Sequence, residues 1–369
     1  MRWLQGDPLE LLCDRVFHFK ASLPAVPEAF ENANCKLHCA TPQELIGNET
    51  LLEHCFALLL QAHYQTRPLD LYHLLSGENL KLYLLNYNDI PVALALLATE
   101  GPFNDPSLRR DIVARKRRPR GHVLPQLLAQ WIARDAVLEH RIARVVRIAV
   151  HPQLHRRGLG SQLLQSIHTQ LENETVAPVA ATGTLYGADS GLIDFWKSNG
   201  YAAFHLGARK NNRSGERSIA MLRPLSNTTV VMKQFLQRAI ALLRINFRND
   251  PAIMHAETSR TDASSSSYQE TTLDDASQRD INLDYLEFIN AYARGERSFH
   301  DTRAIILDYL SVSGNLIANA QLDSAEADIL NAIHHTEFSF STYAKGKLSG
   351  GKKASEVLLR SALKKLIQD

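Results

Sequence analysis

The sharpest change of hydrophobic pattern along the chain falls between positions 145 and 171. Val145-Val146-Arg147-Ile148-Ala149-Val150 is a short β-branched run, the pattern of a buried strand. Pro152 ends it, because proline cannot donate to a strand ladder. Ser161 to Leu171 then changes to helical spacing, with Leu163, Leu164, Ile167 and Leu171 on one face.

Upstream, Asp7 is placed to cap a helix that has Pro8 at its first position and runs to about Phe19. Thr41-Pro42-Gln43-Glu44 is a helix-start signal. Asn48 to Tyr64 is amphipathic, with Leu51, Leu52, Cys55, Leu58, Leu59 and Ala62 on one side. Lys81–Asn86 and Pro91–Thr99 read as two strands joined by the turn Tyr87–Ile90. Gly121 to Ala133 reads as a loop followed by a helix. Thr182 to Leu206 reads as a strand, a turn at Asp189-Ser190-Gly191, a helix through Phe195-Trp196 and a further strand, with Gly200 as the helix cap. Ser218–Pro224 supplies a closing strand.

A boundary is expected near Ser226. Beyond it helices are expected over Thr228–Phe247, Asn282–Arg294, His300–Ser311, Asp323–His335 and Ala354–Ile367. The Ser/Thr/Asp-rich stretch Met254–Arg279 is expected to be a flexible insertion, and Lys345–Lys353 a basic loop. Gly346 to Lys353 imitates a P-loop, but Lys353 stands where the Mg²⁺-binding Ser or Thr belongs and no buried strand precedes it.

With 369 residues, 45% of them hydrophobic and 22% charged, the chain is a globular protein of two domains. No apolar run long enough to span a bilayer occurs, and Met1-Arg2-Trp3 leads into no signal region. A cytoplasmic protein is expected. Cys35 and Cys39 flank His38, but no second ligand pair has zinc spacing, so Cys13, Cys35, Cys39 and Cys55 read as reduced thiols. The net charge is only +2, so any nucleic-acid role must come from local patches. Arg109, Arg110, Arg115, Lys116, Arg117, Arg118 and Arg120 crowd one stretch, with Asp111 the only acid among them. Such a run is either a solvated face or a surface for RNA phosphates. Lys352 and Lys353 extend the same candidate role to the C-terminal region.

Chemistry concentrates in His155-Arg156-Arg157-Gly158-Leu159-Gly160-Ser161, between the strand and the helix. Helix N-terminal N–H groups lack partners and carry partial positive charge. Glycines admit an anion close to the backbone, and the two arginines add full charges. A pyrophosphate suits this turn. Its spacing is neither that of a dinucleotide fold nor that of a P-loop.

The turn resembles the acetyl-CoA loop of the GNAT acetyltransferase superfamily, Gln/Arg-x-x-Gly-x-Gly/Ala, with His155 at the first position. Phe195-Trp196-Lys197-Ser198-Asn199-Gly200-Tyr201 is similar to a late segment of such domains. The resemblance implies a GNAT fold, a mixed sheet flanked by helices, over residues 41–225. It also implies acetyl-CoA as cosubstrate, with the pantetheine arm on the backbone of Ile148, Ala149 and Val150, which would polarise the thioester carbonyl. Residues 226–369 are then a mostly helical, basic tail.

Four segments resemble the RNA cytidine acetyltransferase family. They are Arg2-Trp3 through Glu10, Ala62-His63-Tyr64 through Leu71, Arg117-Arg118-Pro119-Arg120-Gly121, and Arg144 through Pro152 with its glycine loop. The resemblance implies acetyl transfer to N4 of a cytidine in RNA, in the bacterial type the wobble cytidine of elongator tRNA(Met), and a tRNA partner. Family members carry an upstream helicase-like module that hydrolyses ATP or GTP, and the family segment matched by residues 1–40 follows it. No such module is read in these 369 residues, so a separate ATPase partner is an expectation. The family often has a Glu before the Phe-Trp helix, where this chain has Ala188-Asp189-Ser190-Gly191. His63 is the candidate base, with Tyr64 and His151 in reserve; a histidine at a helix end also caps carbonyls, and both roles stay open. Transfer to a protein or small amine, and RNA binding without catalysis, are the alternatives.

Overall fold

A computed structural model describes residues 7–9, 12–13, 21–27, 29–62, 75, 77, 79–211, 215–226, 230–247, 250–258, 285–312, 321–335, 338–347 and 350–368. Seven strands form one sheet: β1 (Cys35–Ala40), β2 (Leu80–Tyr87), β3 (Ile90–Glu100), β4 (Ile142–Val150), β5 (Ala181–Gly187), β6 (Ala202–Lys210) and β7 (Arg217–Pro224). Their spatial order is β1-β2-β3-β4-β5-β7-β6. Every pairing is antiparallel except β4 with β5.

The β2–β3 hairpin turns at Asn88 and Asp89, both in the left-handed region at φ 47° and 64°. That is the turn whose twist matches paired strands. β3 is buried on both faces, and its alternation divides the core. Leu94 and Leu96 join Leu45, Leu52, Phe56 and Leu59 of the helices α1 (Pro42–Gly47) and α2 (Glu49–Ala62). Ala93, Ala95 and Leu97 face the larger cluster on the other side. α1 begins with a reciprocal cap: Thr41 Oγ1 accepts from Glu44 N at 3.2 Å, and the Glu44 carboxylate accepts from Thr41 N at 2.7 Å.

α3 (Pro106–Val113) and α4 (Val123–Ile132) connect β3 to β4, α5 (Leu159–Glu172) follows β4, and α6 (Ser190–Ser198) joins β5 to β6. α7 (Val230–Phe247) packs on β6 and α4, where Trp131 Nε1 donates to Ala239 O at 3.0 Å. After it come α8 (Pro251–Thr258), α9 (285–293), α10 (Arg303–Val312), α11 (Ser324–Ala332), α12 (Phe340–Lys347) and α13 (Gly351–Gln368). No described helix is long and apolar enough to cross a membrane.

Several elements depart from the sequence expectations. Cys35–Ala40 is the edge strand of the sheet, in register with β2 from Cys35↔Tyr87 to Ala40↔Leu82, although it falls in the segment expected to precede the sheet. The insertion expected from Met254 starts as helix, because Ile253 is buried in the main core and holds α8; residues 259–279 lie outside the described residues. Lys345–Lys353 is not a loop throughout. α12 runs to Lys347 and α13 starts at Gly351, because Phe340, Ala344, Leu359 and Leu363 are buried on their facing sides. The large apolar cluster also continues from the sheet through Leu236, Phe288, Ile305, Leu330 and Leu363, so the core is unbroken across Ser226. Arg297, 4% exposed, sits in that join. It donates to the carbonyls of Gln130 at 2.6 Å and Trp131 at 3.0 Å and stacks over Phe288 at 4.5 Å.

Candidate active site

The site is built where β4 leaves its neighbours. The β3–β4 register shifts at Leu96/Leu97, which leaves Val146 as the extra residue of a bulge. On the other side β4 pairs with β5 only from Ile142↔Ala181 to Val145↔Thr184. β5 continues to Gly187 against β7. The last residues of β4 therefore part from β5.

Strand alternation then decides which backbone groups face the gap. His151 N donates to Val92 O at 2.8 Å, which makes Val92 and His151 a hydrogen-bonded pair. Counting back along an antiparallel ladder, the N–H and C=O of Val150 and Ile148 turn away from β3, toward the side that β5 has left. Ala149 points its side chain into the small core under α2 and is 5% exposed.

The turn that follows is shaped for an anion. His155 Nε2 donates to Val150 O at 2.9 Å. Arg156 and Gly158 are left-handed, at φ 62° and 82°, a backbone form that turns successive N–H groups to one side. Gly158 is the N-cap of α5, so the free N–H groups of that helix open onto the same place. His155, Arg156 and Arg157 are exposed, and Leu159 is buried beneath them. Gly160 serves closeness: a Cβ there would lie 3.2 Å from Phe195 Cε2 and 3.7 Å from Val150 Cγ2. Ser161 Oγ accepts from Asn199 Nδ2 at 3.1 Å.

These residues line one cleft of about 680 Å³, bounded by Ile148, Ala149, Val150, His155, Arg156, Gly158, Leu159, Gly160 and Ser161. The residues expected from the sequence therefore assemble into the cleft, apart from Arg157, which borders it through the chain. Five further residues line it that were not expected, two of them, Pro152 and Leu154, in the short turn after β4. Leu192 and Phe195 come from α6, and Gln61 comes from the last turn of α2. Phe195 opens the Phe195–Tyr201 motif, but its spacing alone shows only a core aromatic. Gln61 carries no signal in the sequence.

The candidate bases divide. His63 and Tyr64 lie outside the described residues; Gln61, two positions before His63, lines the cleft. His151 is 3% exposed. Its Nδ1 accepts from Gln153 N at 3.3 Å, so its Nε2 carries the proton toward Pro24 O at 3.1 Å. Burial pushes its pKa down. Both ring nitrogens are committed to backbone, which makes His151 a capping residue of the Pro152–Leu154 turn and removes it from the reserve of bases. Asp189, beside the position where the family often has a Glu, caps α6 by accepting from Leu192 N at 3.0 Å.

The cationic residues also divide. Arg109 is tied to Glu139 at 2.7 Å and to Phe103 O at 3.1 Å. Arg115 bonds Asp301 at 2.8 Å, so its guanidinium is a structural link and the expectation of an RNA contact is corrected. Lys116, Arg117, Arg118 and Arg120 are exposed and form no ion pair among the described residues. Lys352 and Lys353 are exposed in the first turn of α13.

The parted strand, the bulge and the glycine turn coincide with a family match. The sequence matches the GNAT acetyltransferase 2 family over residues 54–180 and 164–226. Over residues 54–226 the chain has the GNAT acetyltransferase fold. Beyond the domain, it is a relative of proteins named tRNA(Met) cytidine acetyltransferase TmcA. It is 36% identical to that of Nitrosococcus halophilus over 235 residues, 62% of this chain and 30% of the relative. The protein of Haloferax volcanii is 36% identical over 230 residues, 62% of this chain and 30% of the relative. That of Vibrio cholerae is 34% identical over 225 residues, 60% and 30%. The chain thus spans about 30% of the length of these curated relatives. The GNAT domain places β4, the 155–161 turn and α6 around the cleft, and Lys116, Arg117, Arg118 and Arg120 lie in the α3–α4 connection.

Proposed function

We propose that this chain transfers acetyl from acetyl-CoA to N4 of a cytidine in RNA, with the wobble cytidine of elongator tRNA(Met) as the substrate. The observation that carries it is the gap beside Ile148–Val150 opening onto the Arg156–Gly160 turn. One end suits an extended amide-bearing arm, and the other suits a pyrophosphate. The relatives' names support the acceptor, and the exposed Lys116, Arg117, Arg118, Arg120, Lys352 and Lys353 suit its phosphates.

The N4 lone pair is delocalised into the cytosine ring, so the amine is a weak nucleophile. Close placement and support for the developing oxyanion therefore matter most. N4 attacks the thioester carbonyl carbon, and the N–H groups of Ile148 and Val150 face the gap where that oxygen gains charge. The C–S bond breaks, the N4 proton passes to the base and from it to the departing thiolate, and CoA leaves as the thiol. His63 is the proposed base and Tyr64 the reserve. A helicase-like ATPase module acting with the chain is part of this reading, as is a cytoplasmic setting.

The test is incubation of the purified chain with acetyl-CoA and tRNA(Met), with and without ATP and an ATPase module supplied in trans. The nucleosides are then separated and weighed. N4-acetylcytidine at the wobble position is expected. Acetylation of added protein or polyamine, with none of RNA, would replace the substrate. Binding of tRNA with no acetyl transfer under any of these conditions would leave an RNA-binding protein.

A further inference from the structure

The turn that carries the cleft's arginines is held in shape by a residue outside the matched domain. Asn32 Nδ2 donates to the carbonyl of Arg157. The carbonyl of Asn32 in turn accepts from Gln162 Nε2 at 3.0 Å. Gln162 N donates to Gly158 O at 2.9 Å. Asn32 is thereby fastened both to the turn and to the first turn of α5.

Its own support is rigid. Tyr87 OH donates to Ala29 O at 2.8 Å, and the Phe30 ring lies 4.8 Å from that of Tyr87. Immediately after Asn34 the chain enters β1.

Two features of the turn need such a hold. Arg156 is a non-glycine residue in the left-handed region, a form strained for an L residue that persists only where the surroundings impose it. The Arg157 carbonyl is a negative dipole end beside a site suited to an anion. Bonded to Asn32, it is engaged by a donor outside the turn.

We propose that Asn32 is a positioning residue of the acetyl-CoA site: it fixes the 156–158 turn in its anion-accepting form before the cofactor arrives. The proposal rests on the acetyl-CoA reading above. Ordering done in advance is not subtracted from binding.

The test uses Asn32→Ala and Asn32→Asp in the full chain. Asp keeps the size of the side chain, but its carboxylate does not donate to Arg157 O and it repels a pyrophosphate. Two quantities are measured: CoA affinity by calorimetry, and hydrogen exchange of the amides of residues 155–162 without ligand. CoA affinity is expected to fall about tenfold for Ala, the worth of one side-chain hydrogen bond, and further for Asp. Exchange should quicken in both variants, while turnover at saturating acetyl-CoA and the melting temperature stay near those of the parent. Parent-like exchange overturns the proposal. So does faster exchange with unchanged affinity, or a lowered melting temperature as the only effect. A parent that binds no CoA removes the acetyl-CoA reading, and the exchange result alone then decides whether Asn32 holds the turn.

Discussion

Arg115 and Asp301 are 186 positions apart in sequence and 2.8 Å apart in space. Arg115 belongs to the basic stretch after α3 and Asp301 to the turn before α10. Burial of Asp301 opposes its ionisation, but the adjacent Arg115 charge and hydrogen bond override it and hold the carboxyl below its ordinary range. Arg115 is also left-handed, at φ 60°. The ion pair therefore fixes the turn from which Lys116, Arg117 and Arg118 project.

Arg115 should accordingly separate from its neighbours by experiment. Arg115→Gln leaves Asp301 buried without its cation, so stability should fall by about 1–3 kcal/mol. Joint replacement of Arg117, Arg118 and Arg120 by Gln should leave the melting temperature unchanged and weaken tRNA binding. Every phosphate left without its cation flattens the dependence of log K on log salt by roughly 0.7–0.9. Thermal melts and filter binding at two or more salt concentrations check both. Equal salt slopes for parent and triple variant would make the cluster a solvated face.

That ion pair marks the limit of what the sequence makes legible. The cleft is readable because its parts are local. A β-branched run, a proline stop, two glycines and an apolar helical face lie within about one βα unit. β1 alternates weakly: Cys35, Leu37 and Cys39 are half-buried on one face while Lys36 and His38 line the other. Its cysteines and histidine read as reduced thiols beside a polar side chain rather than as one face of a strand. The commitments of Arg115, His151 and Asn32 are set by residues distant in sequence or by backbone groups, and no side-chain spacing encodes these. α8 is hidden because Ile253, its one fully buried side chain among the described residues, stands at the edge of a polar stretch.

The two glycines of the turn should fail differently. Gly158→Ala meets no neighbouring atom, but it is forced to φ 82°, at a cost of roughly 1–2 kcal/mol. It should distort the turn and weaken CoA binding modestly. Gly160→Ala brings a Cβ to 3.2 Å from Phe195, so the ring must give way slightly. Gly160→Glu adds bulk and a negative charge where the pyrophosphate is proposed, and should lose CoA affinity more than ~10-fold. Calorimetry on the three variants gives the order, and an unaffected Gly160→Glu would remove the turn from the cofactor site.

For His63 the discriminating quantity is rate per folded molecule. If it accepts the N4 proton, His63→Ala should lower transfer about 10²–10⁴-fold at unchanged acetyl-CoA affinity. If it caps the end of its helix, the variant should lose a little stability and keep its rate. Turnover and melting temperature measured on one preparation decide between the two, provided the parent first yields product, with the ATPase module in trans if required.

Acid should destabilise the fold through its buried histidines. His168 is buried against Tyr201 OH at 3.0 Å and Thr182 Oγ1 at 3.2 Å, and burial pushes its pKa down to about 3. His205, against the Trp131 ring, is pushed down by burial to about 4. Both are neutral in the folded chain and protonate in the unfolded chain below its ordinary value of about 6.5. Because the unfolded state then binds more protons, their contribution is fully present above that value. It declines as pH falls toward their folded values. Each group reduces stability by roughly 1.4 kcal/mol per pH unit in that window. His140, His151 and His300, lowered mainly by burial, act in the same direction. Asp301 contributes only below its ordinary carboxylate range, so the histidines dominate between about pH 6.5 and 4. Urea unfolding at pH 7.5 and 5.5 should therefore show a loss of at least roughly 2–3 kcal/mol. His168→Gln keeps a hydrogen-bonding side chain without the titration, and should remove about 1.4 kcal/mol of that difference. An unchanged difference in the variant would mean that His168 is protonated in the folded chain, and that its contacts with Tyr201 and Thr182 do not exclude the charge.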